Sequence, residues 1–372
     1  MYELLRTIVA FCVVLGVLVF FHELGHYLAA RWRGVHVDVF SIGFGKPILK
    51  WHDSVGTEWR LCPIPLGGYV KPHGFEGPAE ADAIADDGSG SSNWMAGKAF
   101  HEKSVGSRSI IIAAGPIFNF LLAIILFTFL FAFVGKPQVN NVVSGVVAES
   151  AAAKAGIKPK DVIEKIDDHT VATFADLQRQ IEISAGKTVM LEIMRDGEVI
   201  TLPVVVDTVA TGGGETVKGR LGVSASYGVS KPVPFYQAIW EGTKETWTIS
   251  VQIVVGLWQM LTGQHSAGDL GGPLRIAQMS GQVAHYGLSS LISFIALLSV
   301  NLGLINLLPI PILDGGRLVF YCVEALIGKP VPKKIQVLGF QIGFLLIASL
   351  FVFSTFNDLL HLGLFKWLAG RS

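Results

Sequence analysis

The sequence predicts a polytopic α-helical membrane protein with four transmembrane helices, a membrane-associated β-hairpin and one extracytoplasmic α+β domain. Three observations carry that prediction. The 372-residue chain is 51% hydrophobic and only 16% charged, with no formal net charge, and its mean hydropathy is +0.52. That balance belongs to a membrane protein rather than to a water-soluble domain. Four stretches, 4–30, 108–134, 288–308 and 336–356, supply the ~20 mostly apolar residues that a spanning helix needs. Between the second and third, residues 137–207 follow strand and short-helix periods instead. Zero net charge argues against a nucleic-acid partner. Cys12, Cys62 and Cys322 lie in or near apolar segments with no metal spacing, which suits buried packing rather than a disulfide framework.

The first span, 4–30, ends on His22-Glu23-Leu24-Gly25-His26. On a helix, residues four apart face the same way, so two imidazoles can grip one zinc ion. The glutamate between them can serve as general base toward water at the metal. The bland alternative is a pair of satisfied polar residues at a helix end. Three ionisable groups within five positions of a membrane segment are costly, however, and point to function. A cleaved signal peptide competes for the same apolar run. Glu3 beside Arg6, and Ala29-Ala30 as a poor cleavage site, argue against it.

Residues 34–75 read as β-hairpin structure. Val35-His36-Val37-Asp38-Val39-Phe40 alternates, and Trp59-Arg60-Leu61-Cys62 resumes after the turn-like Asp53-Ser54-Val55-Gly56. Its ends are glycine-rich, at Gly43-Phe44-Gly45 and Pro65-Leu66-Gly67-Gly68-Tyr69. A strand edge beside the metal site could hold an extended peptide; a plain cytoplasmic hairpin is the other reading. Residues 76–107 read as a flexible cytoplasmic loop, acidic and then Gly/Ser-rich.

Positive charge orients the spans. Arg31 and Arg33 follow the first, Lys98, Lys103 and Arg108 precede the second, and Lys329, Lys333 and Lys334 join the third to the fourth. All fall on one side, placed in the cytoplasm, which leaves 136–287 outside. Within 137–207, strands are expected at Val142–Val147, Val162–Ile166, Val189–Arg195 and Val199–Val205, the last two joined by Asp196-Gly197. Helices are expected at Ala151–Gly156 and after the N-cap Thr173. Residues 230–285 form an interfacial amphipathic region. Trp240, Trp247 and Trp258 recur at helical spacing with Glu241 and Lys244 opposite, although a fifth span over 238–262 competes with this reading.

The third span continues as a broken helix over 288–327. Asn306-Leu307-Leu308-Pro309-Ile310-Pro311-Ile312-Leu313-Asp314-Gly315-Gly316 opens the backbone at membrane depth, which is tolerated where it lines a cavity. Asp314 is a lone intramembrane carboxylate in need of a partner. A metal held by His22 and His26 would be one; a simple cap on the helix restarting at Gly315 is the alternative.

Taken together, these residues resemble the bacterial site-2 protease family of the RseP type. The resemblance rests on His22 through His26, Gly115-Pro116-Ile117-Phe118-Asn119, the 137–207 unit, Gly271-Gly272-Pro273, and Asn306 through Gly315. It implies an intramembrane zinc metalloprotease with Zn2+ held by His22, His26 and Asp314, and Glu23 as catalytic base. It further implies substrate-positioning roles for Asn306, Pro309 and Pro311, with Asn301 as a helper. It makes 137–207 a PDZ-like domain, single where RseP carries two, with Lys160 and Asp168 at positions where glycine is usual. Implied partners are transmembrane substrates such as a pre-trimmed anti-sigma factor or a remnant signal peptide, an upstream site-1 protease, and membrane lipid. The implied location is the bacterial inner membrane, with the active site toward the cytoplasm and the PDZ-like domain in the periplasm. A zinc carrier would need polar residues along a through-path, whereas here they cluster at one depth. A scaffold built on 137–207 leaves Glu23 unexplained.

Overall fold

The computed structural model describes residues 2–75, 95–171, 173–211, 216–263 and 271–361. The chain divides into two compact units, one of 1–132 with 234–372 and one of 133–233. Among the described residues, four helices are long and apolar enough to cross a membrane: Tyr2–Trp32, Val105–Phe133, Leu288–Asn306 and Lys333–Leu359.

Helix α1 (Tyr2–Trp32) leads into β1 (Val37–Phe44), β2 (Leu49–His52), β3 (Glu58–Leu61) and β4 (Ile64–Pro72). These four strands form one sheet in the order β2-β3-β1-β4, so the expected hairpin is corrected to a four-stranded sheet. The turn at Asp53–Gly56 joins β2 to β3, while β1 lies parallel to β3 and antiparallel to β4. Burial explains the arrangement. Val37 and Phe40 are fully buried, so β1 is the centre of the sheet rather than one arm of a ribbon. The glycine-rich segment that looked like a hairpin end is strand β4 itself. A Cβ on Gly68 would come 2.6 Å from Ser41 O and 2.7 Å from Val19 Cγ1, so glycine is what lets the strand lie against α1.

Asp53 ties this sheet to α1. Its carboxylate accepts from the Tyr27 hydroxyl (2.7 Å), Trp59 Nε1 (3.1 Å) and the Val55 and Thr57 backbone N–H groups. Burial alone would raise its pKa, but these four donors outweigh that and hold it at about 2.

Of the loop expected over 76–107, residues 76–94 lie outside the described residues. The rest is anchored rather than loose. Phe100 is buried, and its N–H donates to His73 C=O at 2.7 Å. Helix α2 (Val105–Phe133) follows. Its Arg108 is held by Glu324 at 2.6 Å.

The second unit contains β5 (Pro137–Val146), α3 (Ala151–Lys154), β6 (Val162–Ile166), β7 (His169–Thr170), α4 (Phe174–Ile183), β8 (Thr188–Arg195), β9 (Glu198–Val205), β10 (Asp207–Thr211), β11 (Thr216–Arg220) and β12 (Val223–Val229). The main sheet runs β12-β5-β6-β8-β9, with β7 on β6, and β10 and β11 pair separately. Its core gathers Val143, Ile163, Leu177, Leu191, Ile193 and Val204. Thr173 caps α4 in a reciprocal box with Asp176. The Asp196-Gly197 turn has positive φ at both residues, as a two-residue hairpin requires.

Two expectations for this unit need correction. It does not stop at 207, because β12 pairs with β5 and Leu221 packs into the core, so the segment around Gly219–Val223 is integral to it. The left-handed residue of the β6–β7 turn is Asp167 (φ 51°), not Asp168, whereas Lys160 does adopt φ 80°. Asp167 suits the position because its side chain accepts the Met190 N–H at 2.8 Å.

The chain re-enters the first unit through α5 (Phe235–Leu261) and α6 (Pro273–His285). Ala238 and Thr246 on α5 are buried, whereas Trp240, Trp247 and Trp258 are exposed. Helix α5 is not among the four candidate spans. Buried Asp358 caps α6 from afar, accepting the Gly272 and Arg275 N–H groups at 3.0 Å each. The broken helix resolves into α7 (Leu288–Asn306) and α8 (Asp314–Ile327), and α9 (Lys333–His361) is the last helix described.

Candidate metal centre

His22 and His26 sit one turn apart on α1, and Asp314 opens α8. Their side chains converge. His22 Nε2 and His26 Nε2 are 3.2 Å apart, and Asp314 Oδ2 lies 3.3 Å from the first and 3.4 Å from the second. The same three residues form a metal-competent cluster among the described residues. Two donors bound ~2.0–2.1 Å from a tetrahedral zinc stand roughly 3.3 Å apart. The three atoms are therefore spaced as one tetrahedral face. Asp314 Oδ2 is buried and has no hydrogen-bond partner. A buried carboxylate oxygen left in that state is costly, and a shared cation relieves it. The donor set thus fits zinc.

The imidazoles are steered from behind. His26 Nδ1 donates to Ile111 C=O at 2.8 Å. A carbonyl only accepts, so the proton is fixed on Nδ1 and the Nε2 lone pair is left to face Asp314. The Asn119 side-chain amide lies 3.0 Å from His22 Nδ1, and Asn119 is itself fully buried, its backbone C=O accepting from the Ser299 hydroxyl at 2.8 Å. Both supports come from α2, which approaches closely only because position 115 is glycine. A Cβ on Gly115 would overlap His26 Nε2 and crowd His22 Cε1.

The three donors open onto a cavity of about 370 Å³, whose wall also includes Glu23, Asn306, Gly68, Val70 and Arg317. A Cβ on Gly68 would meet Glu23 Cγ at 3.2 Å, so the glutamate and strand β4 are direct neighbours. Among the described residues, strand β4 ends the sheet, paired with β1 on one side only. An extended chain laid on its open side would pass beside Glu23 and the donor cluster.

Of the residues expected to handle substrate, Asn306 is on this wall. Asn301, Pro309 and Pro311 are not. Asn301 lies five residues before Asn306 on α7, which turns it ~140° around the helix. Pro311 faces α9 instead, where a Cβ on Gly339 would meet it at 3.4 Å. Three residues that bear on the site escaped the residue-by-residue reading: Asn119, Gly115 and Arg317. The first two stood in the sequence only as part of the Gly115–Asn119 run. For Arg317 the available signal was a charge one turn beyond Asp314 in an apolar helix.

The profile of peptidase family M50 matches residues 10–350. A protein of Rhizobium meliloti that carries the name of a candidate zinc metalloprotease is 39% identical over 378 residues, covering 98% of this chain and 97% of its own length. A similarly named protein of Agrobacterium fabrum is 41% identical over 362 residues, covering 95% of each chain. Metalloprotease MmpA of Caulobacter vibrioides is 36% identical over 395 residues, covering 98% of each. The metal in the first two names is the one the donor set fits. Because the matched span takes in the helix with both histidines, the helix behind them and the helix opened by Asp314, the chain belongs to peptidase family M50.

Proposed function

We propose that this protein is a membrane-embedded zinc endopeptidase that cuts peptide bonds in the transmembrane segments of single-pass membrane proteins. The observation that carries the reading is one cavity holding a tetrahedral face of donors, Glu23 and an open strand edge. His22, His26 and Asp314 would hold the ion. Zinc, when bound, supplies a Lewis acid that polarises the scissile carbonyl and brings the pKa of water down to about 7. Glu23 takes the proton from the attacking water and returns it to the leaving amine. A helical substrate hides its carbonyls in its own hydrogen bonds, so it must unwind before it is cut. Strand β4 offers backbone partners to the unwound segment, and Asn306 offers a side-chain amide at the end of α7.

The resemblance of the chain supports the finer points. The substrates are anti-sigma factors already trimmed by a site-1 protease, and remnant signal peptides. The enzyme sits in the bacterial inner membrane with four spans and its catalytic cavity toward the cytoplasm. The 133–233 unit is a PDZ-like domain on the periplasmic side that hinders untrimmed substrates.

Glu23→Gln is the decisive variant. In detergent or liposomes it should keep its zinc, measured by metal analysis, and lose cleavage of a membrane substrate by at least about a thousandfold. Cleavage at the wild-type rate by the purified variant would overturn the assignment.

A further inference from the structure

Arg317 stands one turn beyond Asp314 on α8 and, among the described residues, is the one permanently cationic side chain on the cavity wall. Its guanidinium lies over the Phe75 ring, 4.7 Å from the centroid, with Phe340 at 5.9 Å. Among the described residues it takes part in no ion pair, and the acid further along its own helix, Glu324, is held by Arg108. Two rings thus hold the group without using its N–H donors. A planar fork held this way loses little freedom on binding and matches a carboxylate with two parallel hydrogen bonds.

The position of the fork along the cavity follows from β4. Gly68 is beside Glu23, whereas Phe75, under Arg317, lies beyond the far end of the strand at Pro72. At ~3.3 Å per residue, the four steps from Gly68 to Pro72 cover roughly 13 Å. A peptide extended along β4 with its scissile bond at Glu23 would therefore carry a side chain several residues away toward the guanidinium.

We infer that Arg317, held by Phe75, forms a subsite for an acidic side chain of the substrate several residues from the scissile bond. The inference rests on the endopeptidase reading above. It makes Arg317 a determinant of specificity, where a purely structural clamp between the 73–75 segment, α8 and α9 would be indifferent to substrate charge.

The test uses the zinc-loaded full-length protein in detergent and membrane-segment peptides in which one Glu is moved through six positions on either side of the cut. Each is compared with its Gln counterpart by kcat/KM, and by equilibrium binding to Glu23→Gln protein, which does not turn over. The expected result is a Glu preference of about tenfold at one position, on one side of the cut only. Arg317→Gln should bring that ratio near one, Arg317→Glu should favour Lys at the same position, and Arg317→Lys should retain part of the preference. A flat scan with wild-type protein, or a ratio that survives Arg317→Gln, overturns the subsite; a clamp would slow all peptides alike and leave the ratio unchanged. Cleavage without the preference removes the subsite alone. A binding preference without Glu23-dependent cleavage removes the endopeptidase reading and leaves an acidic-peptide site.

Discussion

Each unit of the molecule withdraws an aspartate from water, and the two aspartates differ in what meets them. Asp161, in the 133–233 unit, is 1% exposed. Arg195 Nε donates to its Oδ1 at 2.8 Å, and Arg195 Nη2 and the Lys158 N–H each donate to its Oδ2 at 2.7 Å. Asp314, in the helical unit, has one oxygen that is buried, faces two imidazole nitrogens and takes no hydrogen bond. A carboxylate completed by its own protein is a structural joint. A carboxylate left incomplete, with neutral donors converging on the same point, is a request for a ligand. Burial is common to both, so it is the accounting of partners that separates them.

The comparison predicts opposite phenotypes. Asp314→Asn should empty the helical unit of zinc and lower cleavage by about four orders of magnitude, on the order of 5 kcal/mol of transition-state stabilisation. Its fold should persist, since asparagine keeps the size and shape of the side chain. Full zinc occupancy in metal analysis of the variant would remove Asp314 from the ligand set.

Asp161→Ala should do the reverse. It should cost the 133–233 unit about 3 kcal/mol, the lower end for breaking a buried pair because Arg195 reaches water. Zinc content should not change. Limited proteolysis or hydrogen exchange over 133–233 in the full-length protein reads the loss, and wild-type protection in the variant would show that the pair carries no load. The same pair gives a pH signature. Burial would raise the Asp161 pKa, but the bonds from Arg195 and the Lys158 N–H override it and hold it below the usual carboxylate range. A depressed pKa contributes stability that is complete above the unfolded value of about 3.9 and is lost as pH falls through the folded value. Protection of this unit should therefore decline below about pH 4 in the wild type and decline less in Asp161→Ala.

A smaller effect would sharpen the contrast. Asn119→Ala removes the group behind His22 while leaving all three donors in place, and zinc affinity should fall about 10- to 100-fold. A zinc titration against a competing chelator measures it. An unchanged affinity would show that α2 supports the site through packing at Gly115 alone.

What the sequence made legible divides along physical lines. The His22–His26 spacing is a local property of one helix, and Asp314 stood out because two prolines and a charge are expensive together in an apolar segment. Thr173, Asp196 and Gly197 were readable because caps and tight turns have short-range chemistry. The sheet at 37–72 was misread because its centre is a parallel pairing across an intervening strand, which no local alternation announces. The end of the second unit was misplaced because β12 completes a sheet begun by β5, some eighty residues earlier. Asn119 and Arg317 matter through the direction their side chains take, and periodicity does not carry that information.

The donors of the metal centre are also separated in time. His22, Glu23 and His26 leave the ribosome nearly three hundred residues ahead of Asp314. Until the ribosome reaches Asp314, the nascent chain carries a base and two imidazoles but no complete cage, so it is a hydrolase without a working centre.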